Sequence, residues 1–169
     1  MVGLPGVGKT TRAREIESES RALRLTPDEW MIPLFDGVQP EGKRDVLEGR
    51  LVWLAMRALR LGTNVVLDFG LWGKDERSAL HSLAIDAGAE YQMVYVDIDE
   101  AEQRRRVAGR VGTESGSTYA ITPEELSQYR SQFQIPGRDE LNGVAVGAPP
   151  ASHESWASWA AERWPSFVP

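Results

Sequence analysis

Apolar positions along this chain recur in two rhythms, and their alternation predicts its architecture. Between Glu41 and Leu61 the residues Val46, Leu47, Leu51, Leu54, Ala55, Ala58 and Leu59 return at three- and four-residue spacing, the period of one helix face, and Gly62 supplies a C-terminal cap. Asn64 to Asp68 is instead a short apolar run that ends in a carboxylate between Gly62 and Gly70, as suits a buried parallel strand. The pair then repeats. Lys74 to Ala87 predicts an amphipathic helix through Leu80, Leu83 and Ala84, stopped at Gly88, and Tyr91 to Val96 predicts a strand that again runs into an acid, Asp97.

Upstream, Thr11 to Leu25 lacks Gly and Pro; its first part has helix-forming composition and Ala22 to Leu25 reads as a short strand. Thr26-Pro27-Asp28-Glu29 opens the next helix, with Thr at the N-cap, Pro at the first position and Glu at the third. Downstream come a charged helix over Glu100 to Arg110, a polar loop over Val111 to Ile121, and a helix opened by Thr122-Pro123-Glu124-Glu125 with the same capping signature. Leu141 to Val146 predicts a last strand, Ala148-Pro149-Pro150 a break, and residues 151–164 a terminal helix whose Trp156, Trp159 and Ala160 read as packing. Strands alternating with helices at this spacing imply parallel crossovers and a doubly wound α/β sheet, with its site at the carboxyl ends of the strands. No domain boundary interrupts residues 1–169.

Composition narrows the chemistry. At 169 residues, with 41% hydrophobic and 26% charged residues, the chain matches a folded globular domain. The absence of cysteine excludes disulfides, thiolate zinc sites and cysteine nucleophiles. A net charge of -6 disfavours an extended nucleic-acid surface, while a local basic pocket stays open. Apolar runs are far below the roughly 20 residues of a membrane span, and no signal-peptide pattern opens the chain, so a cytoplasmic protein is expected.

The strongest chemical signal is Gly3-Leu4-Pro5-Gly6-Val7-Gly8-Lys9-Thr10, a full match to the phosphate-binding loop pattern, followed at once by a helix. Its glycines let backbone N–H groups wrap a phosphate, Lys9 reaches the terminal phosphates, and the Thr10 hydroxyl can hold magnesium. Asp68, at a strand end, stands where a second magnesium-holding acid belongs, or it caps a turn. Asp28 is placed either to take a proton from a substrate hydroxyl or to complement a helix dipole. Arg106 and Arg110 share one face of the Arg104-Arg105-Arg106 helix, beside a loop that would form a lid over 104–121; each arginine also fits a solvated helix in which Glu102 pairs with Arg106. Trp72, Lys74 and Arg77 follow Asp68 closely enough to meet an acceptor substrate, though rim packing and helix-surface charge account for them slightly better. His81 and His153 have no metal or relay spacing.

Taken in order, Gly3 to Thr11, Thr26 to Trp30, Val65 to Gly70 and the arginine helix resemble the P-loop kinase group that includes chloramphenicol phosphotransferase, zeta-type toxins and the polynucleotide kinase domain, proteins often labelled AAA-family ATP-binding. The resemblance runs to about Glu140 and implies a nucleoside-kinase-like three-layer sandwich with a small lid. It also implies ATP with magnesium as donor and a hydroxyl acceptor. By position it assigns Gly3, Pro5, Gly6, Val7, Gly8, Lys9, Thr10 and Thr11 to the phosphate loop, with Arg110 also on the nucleotide. Asp28 becomes the acid that deprotonates the acceptor, Asp68 the strand-end acid, and Arg106 and Arg110 the lid arginines. Phe133 to Glu140 matches a stretch that frames the adenine. One departure stands out: only Met1 and Val2 precede Gly3, where such loops follow a central strand of about five residues, so an omitted upstream segment is expected.

The expected activity is transfer of a γ-phosphoryl group to a hydroxyl of a small molecule such as an antibiotic, a nucleoside or a related metabolite. A polynucleotide 5'-hydroxyl kinase and a non-catalytic ATP-binding switch are the alternatives.

Overall fold

Four chain segments run parallel through the middle of the computed structural model, which describes residues 1–110, 119–144 and 147–168. Strand β1 (Leu23–Leu25) pairs with β2 (Val65–Leu67), Leu23 opposite Val65 and Leu25 opposite Leu67. Beyond β2, Val2 makes parallel bridges to both Gly70 and Tyr95. The Val2 N–H donates to the Val94 carbonyl (2.9 Å), the Val96 N–H to that of Val2 (3.0 Å) and the Gly3 N–H to that of Gly70 (3.0 Å). The order across the sheet is therefore 23–25, 65–70, 1–3, 94–96. Pairing in the expected strand at Tyr91 to Val96 contracts to a bridge at Tyr95, because its partner offers a single paired residue, Val2.

The period-two pattern sorts these segments into two cores. Val65, Leu67, Met93, Tyr95 and Val2 face one side, with Leu51, Val52, Ala55, Leu80 and Leu83. Met1, Val66, Val94 and Val96 face the other, against Ala13 and Ile16. Helix α1 (Lys9–Ser20) thus covers one face of the sheet, while α3 (Lys43–Arg60) and α4 (Lys74–Asp86) cover the opposite one, giving the expected three layers. Gly62 sits at φ +78° just beyond α3 and its N–H donates to the Leu59 carbonyl (2.9 Å), so the predicted stop is in place.

The remaining helices are α2 (Pro27–Leu34), α5 (Glu100–Arg110), α6 (Pro123–Gln132), α7 (Arg138–Leu141) and α8 (Trp156–Arg163). Thr122 and Glu125 close a reciprocal capping box on α6, at 3.1 and 2.7 Å. The matching signature at Thr26 caps α2 without any side-chain bond, because the Glu29 carboxylate is taken by Arg24 at 2.5 Å. The predicted strand over Leu141 to Val146 is corrected: Leu141 ends α7, and the chain turns at Gly143 with φ +66°. The cause is Glu140, which caps the Gly137 N–H and is gripped by Arg77, drawing the segment onto α4. Residues 145 and 146 lie outside the described set. Helix α8 packs on α4 and sends Trp156, Ala160 and Trp164 into the larger core.

Candidate functional site: a cleft over the glycine-rich loop

The carboxyl ends of the parallel segments open into a cleft of about 650 Å³. Its floor is the loop from Gly3 to Thr10. Gly3 has φ +143°, and a Cβ there would collide with the Val96 carbonyl; Gly6 has φ +82°, and its Cβ would lie 2.7 Å from Val107 Cγ2. Both positions therefore demand glycine. The Gln103 side chain, fully buried on α5, donates to the Pro5 carbonyl (2.8 Å) and accepts from Arg130, so α5 and α6 clamp the loop from behind.

Helix α1 starts at this loop without a side-chain cap. Its first-turn N–H groups and dipole are left to face the cleft, an arrangement suited to a phosphate. Pro5, Gly6, Gly8, Lys9, Thr10 and Thr11 line the cavity; Val7 is buried, and Gly3 lies behind the surface against Val96. Lys9 Nζ donates to the Leu4 carbonyl (2.7 Å), holding the ammonium over its own loop.

Asp68 projects from the end of β2 into the cleft with its side chain 1% exposed, and neither carboxylate oxygen has a hydrogen-bond partner. The cation beside it, Arg24 Nη1, stands 3.6 Å away and is itself unsatisfied. A buried anion with ion pairing but no hydrogen bond leaves its oxygens open to a further cation or ordered water. Together with the Thr10 hydroxyl on the same cavity, it offers the hard oxygen donors that magnesium prefers. No cluster of three or more His, Cys, Asp or Glu among the described residues could hold a metal alone. An ion here would need phosphate and water oxygens to complete its shell.

Asp28, in the first turn of α2, lines the same cleft. Its Oδ1 accepts from Arg44 Nη1 at 2.8 Å, while Arg44 Nε donates to Glu48 at 2.9 Å. Glu48 also accepts from the indole N–H of Trp164 (3.2 Å) and lies 4.0 Å from Arg163. Burial pushes the Glu48 carboxyl above the ordinary range, against the opposing pull of Arg44 and Arg163. Burial also works to lower the Arg44 guanidinium, but Asp28 and Glu48 outweigh it and the net shift is upward. Arg44, Glu48 and Arg163 went unsuspected in the sequence. Their only signals are an i,i+4 pair that interrupts an apolar helix face and a basic residue in a last helical turn, both ordinary in solvated helices.

Trp72 lines the cleft, its ring 4.9 Å from that of Tyr129. Lys74 and Arg77, considered for the same role, stay out of it. The Lys74 N–H is fastened to Gln134 (2.6 Å). Arg77, 1% exposed, binds Glu140 at 2.8 Å and the carbonyls of Leu71 and Trp72 at 3.2 and 3.0 Å, so it ties α7 to the start of α4. Phe133 to Glu140 lines no part of the cleft either: Phe133 stacks on Tyr95, and the Gln134 N–H donates to the Trp72 carbonyl. Arg106 Nη1 would be 3.8 Å from a Cβ at Gly8, beside the phosphate loop, while its Nε donates to Glu102 (2.6 Å). Arg110 closes α5, and its side chain, like lid residues 111–118, lies outside the described set. His81 stacks on Tyr91, and His153 contacts Ser152 and Glu162. No described helix is long and apolar enough to cross a membrane.

Comparison with curated proteins gives no match. Among solved structures, Chaetomium thermophilum Kti12 in complex with ADP-AlF3 superposes with a TM-score of 0.67 at 17% identity, over 99% of this chain and 97% of that one. At that identity the likeness speaks for the fold, a parallel α/β sheet with a P-loop at its centre. Residues 1–136 match the family AAA_33, described as an AAA domain. That span takes in the phosphate loop, Asp28, Asp68 and the arginine helix, and on it the chain belongs to the AAA_33 family of P-loop AAA domains.

Proposed function

We propose that this chain is a magnesium- and ATP-dependent phosphotransferase that moves a γ-phosphoryl group onto a hydroxyl of a small molecule, with an antibiotic, a nucleoside or a related metabolite as candidate acceptors. The observation that carries the reading is Asp28: it shares a cleft with an uncapped phosphate loop, one oxygen held by Arg44 and the other bonded by no described residue. A carboxylate so oriented can accept a proton while its partner oxygen stays fixed. The nucleotide complex formed by Kti12 supports nucleotide handling by the shared fold.

In this reading the acceptor oxygen attacks the γ-phosphorus as the bond from phosphorus to the β,γ-bridging oxygen breaks; the hydroxyl proton passes to Asp28, and ADP leaves. First-turn N–H groups of α1 hold the phosphate oxygens, Lys9 exchanges the Leu4 carbonyl for a phosphate, and Arg106 approaches from α5. Magnesium, held through Asp68 and Thr10, would supply charge neutralisation at the phosphates.

Asp28→Asn tests this. Transfer of labelled phosphate from ATP across a panel of antibiotics, nucleosides and metabolites should fall by about two to four orders of magnitude, with ATP affinity unchanged. Full activity in the variant removes Asp28 as the base; ATP binding with no acceptor in the panel favours a non-catalytic nucleotide-binding protein.

A further inference from the structure

The acceptor half of the cleft carries an unbalanced charge that bears on what it receives. Away from the phosphate loop, the described lining contains the carboxylates of Asp28, Asp45, Glu48, Glu76 and Glu125 against the guanidiniums of Arg44 and Arg163. Both guanidiniums are already committed. Arg163 reaches Asp45 at 2.6 Å, Glu76 at 2.8 Å and Glu48 at 4.0 Å, and Arg44 is divided between Asp28 and Glu48. An anionic acceptor would have to strip these arginines from their partners and would then face the surplus acids. Even with Glu48 protonated the surplus stays negative.

A second, independent feature points the same way. Trp72 and Tyr129 stand on the cavity as a tilted pair, and Tyr119 lies nearby. The cation–aromatic pairs seen among the described residues are elsewhere, at Trp53 and Trp164, so the faces of Trp72 and Tyr129 are not used by a described arginine. Aromatic faces beside surplus carboxylates form a receptor for a protonated amine. The γ-phosphate of a bound nucleotide would add to that preference rather than oppose it.

The geometry points to an amine-bearing alcohol as the acceptor: a compact polyol or amino-sugar-like ring whose ammonium lies against Trp72, Tyr129 and Glu125 while a hydroxyl meets Asp28. This deepens the phosphotransferase reading and rests on it for the role of Asp28, but the charge preference can be measured without turnover.

Calorimetric titration of the full chain, with no nucleotide present, would use two sets of probes matched in shape. One is deoxystreptamine, inositol and inositol monophosphate; the other is serinol, glycerol and glycerol phosphate. In at least one set the amine should bind about tenfold or more tightly than the neutral polyol, with the phosphate weakest. Glu125→Gln keeps an oxygen for the Thr122 N–H and should reduce that preference, as should Asp45→Asn; melting curves of both variants check the fold. The inference is overturned if neither set favours the amine, or if the preference survives unchanged in both folded variants. Selective amine binding without phosphate transfer would keep the cleft's preference for an amine and remove its role as a phosphoryl acceptor.

Discussion

Asp68 is a buried carboxylate that meets cations but no hydrogen-bond donor. The carboxylate is buried, its oxygens are unbonded, and Arg24 is too far for a hydrogen bond. Asp68→Asn leaves a similar shape but removes the charge that Arg24 and the Met1 ammonium face, so without magnesium the variant should melt lower than the parent. The gain in melting temperature that magnesium and ATP give the parent should shrink in the variant; an equal gain in both would exclude Asp68 from the metal site. The placement of Asp68, at a strand end, and of Asp28, in the helical turn that follows one, was legible because a short apolar run fixes where the chain emerges. Arg77 was not, since nearness in sequence says nothing of direction: its side chain turns inward to Glu140, a residue 63 positions away. Arg44 and Arg163 stayed hidden because Asp28, Asp45 and Glu76, which they bind, come from other helices.

Two helices carry the same capping signature, and the structure separates them. Thr122 bonds the Glu125 N–H and is answered by the Glu125 carboxylate, whereas Thr26 bonds nothing in its helix. Thr122→Ala should therefore cost about 1 kcal/mol in urea unfolding, and Thr26→Ala distinctly less from capping; equal losses would mean that the two caps work alike. The placement of α1, α3, α4, α5, α6 and α8 was legible from periodicity and from glycine and proline stops. The short α7 was not, because Leu141 to Val146 has strand-like composition, and only the contact between Arg77 and Glu140 decides against it. The central pairing at Val2 had no periodic signal, being a single bridge residue supported on both sides.

Across the whole molecule, the terminal helix closes the larger core against the sheet-facing helices. Trp164 is fully buried in the larger core, and Trp164→Ala should cost about 3–5 kcal/mol, read from the denaturant midpoint. A second global property is alkaline sensitivity. Burial pushes the Tyr91 phenol up to about 12, with Arg77 opposing and Glu140 reinforcing the shift. Between pH 10 and 12 the unfolded chain gives up this proton while the folded chain keeps it, so stability present below pH 10 declines by about 2–3 kcal/mol over that window. Tyr91→Phe should flatten the decline; an unchanged slope would place its origin elsewhere.

The segment after residue 136 lies outside the family match, yet it supplies Trp164 to the core and Arg163 to the wall of the cleft. The tail thus completes both a core and a cleft whose other walls are built from residues 1–136. A substitution at Arg163 would redraw the charge on that wall while leaving the loop from Gly3 to Thr10 intact. Its neighbour Trp164 leaves less freedom, because any replacement there must rebuild the core that the indole fills.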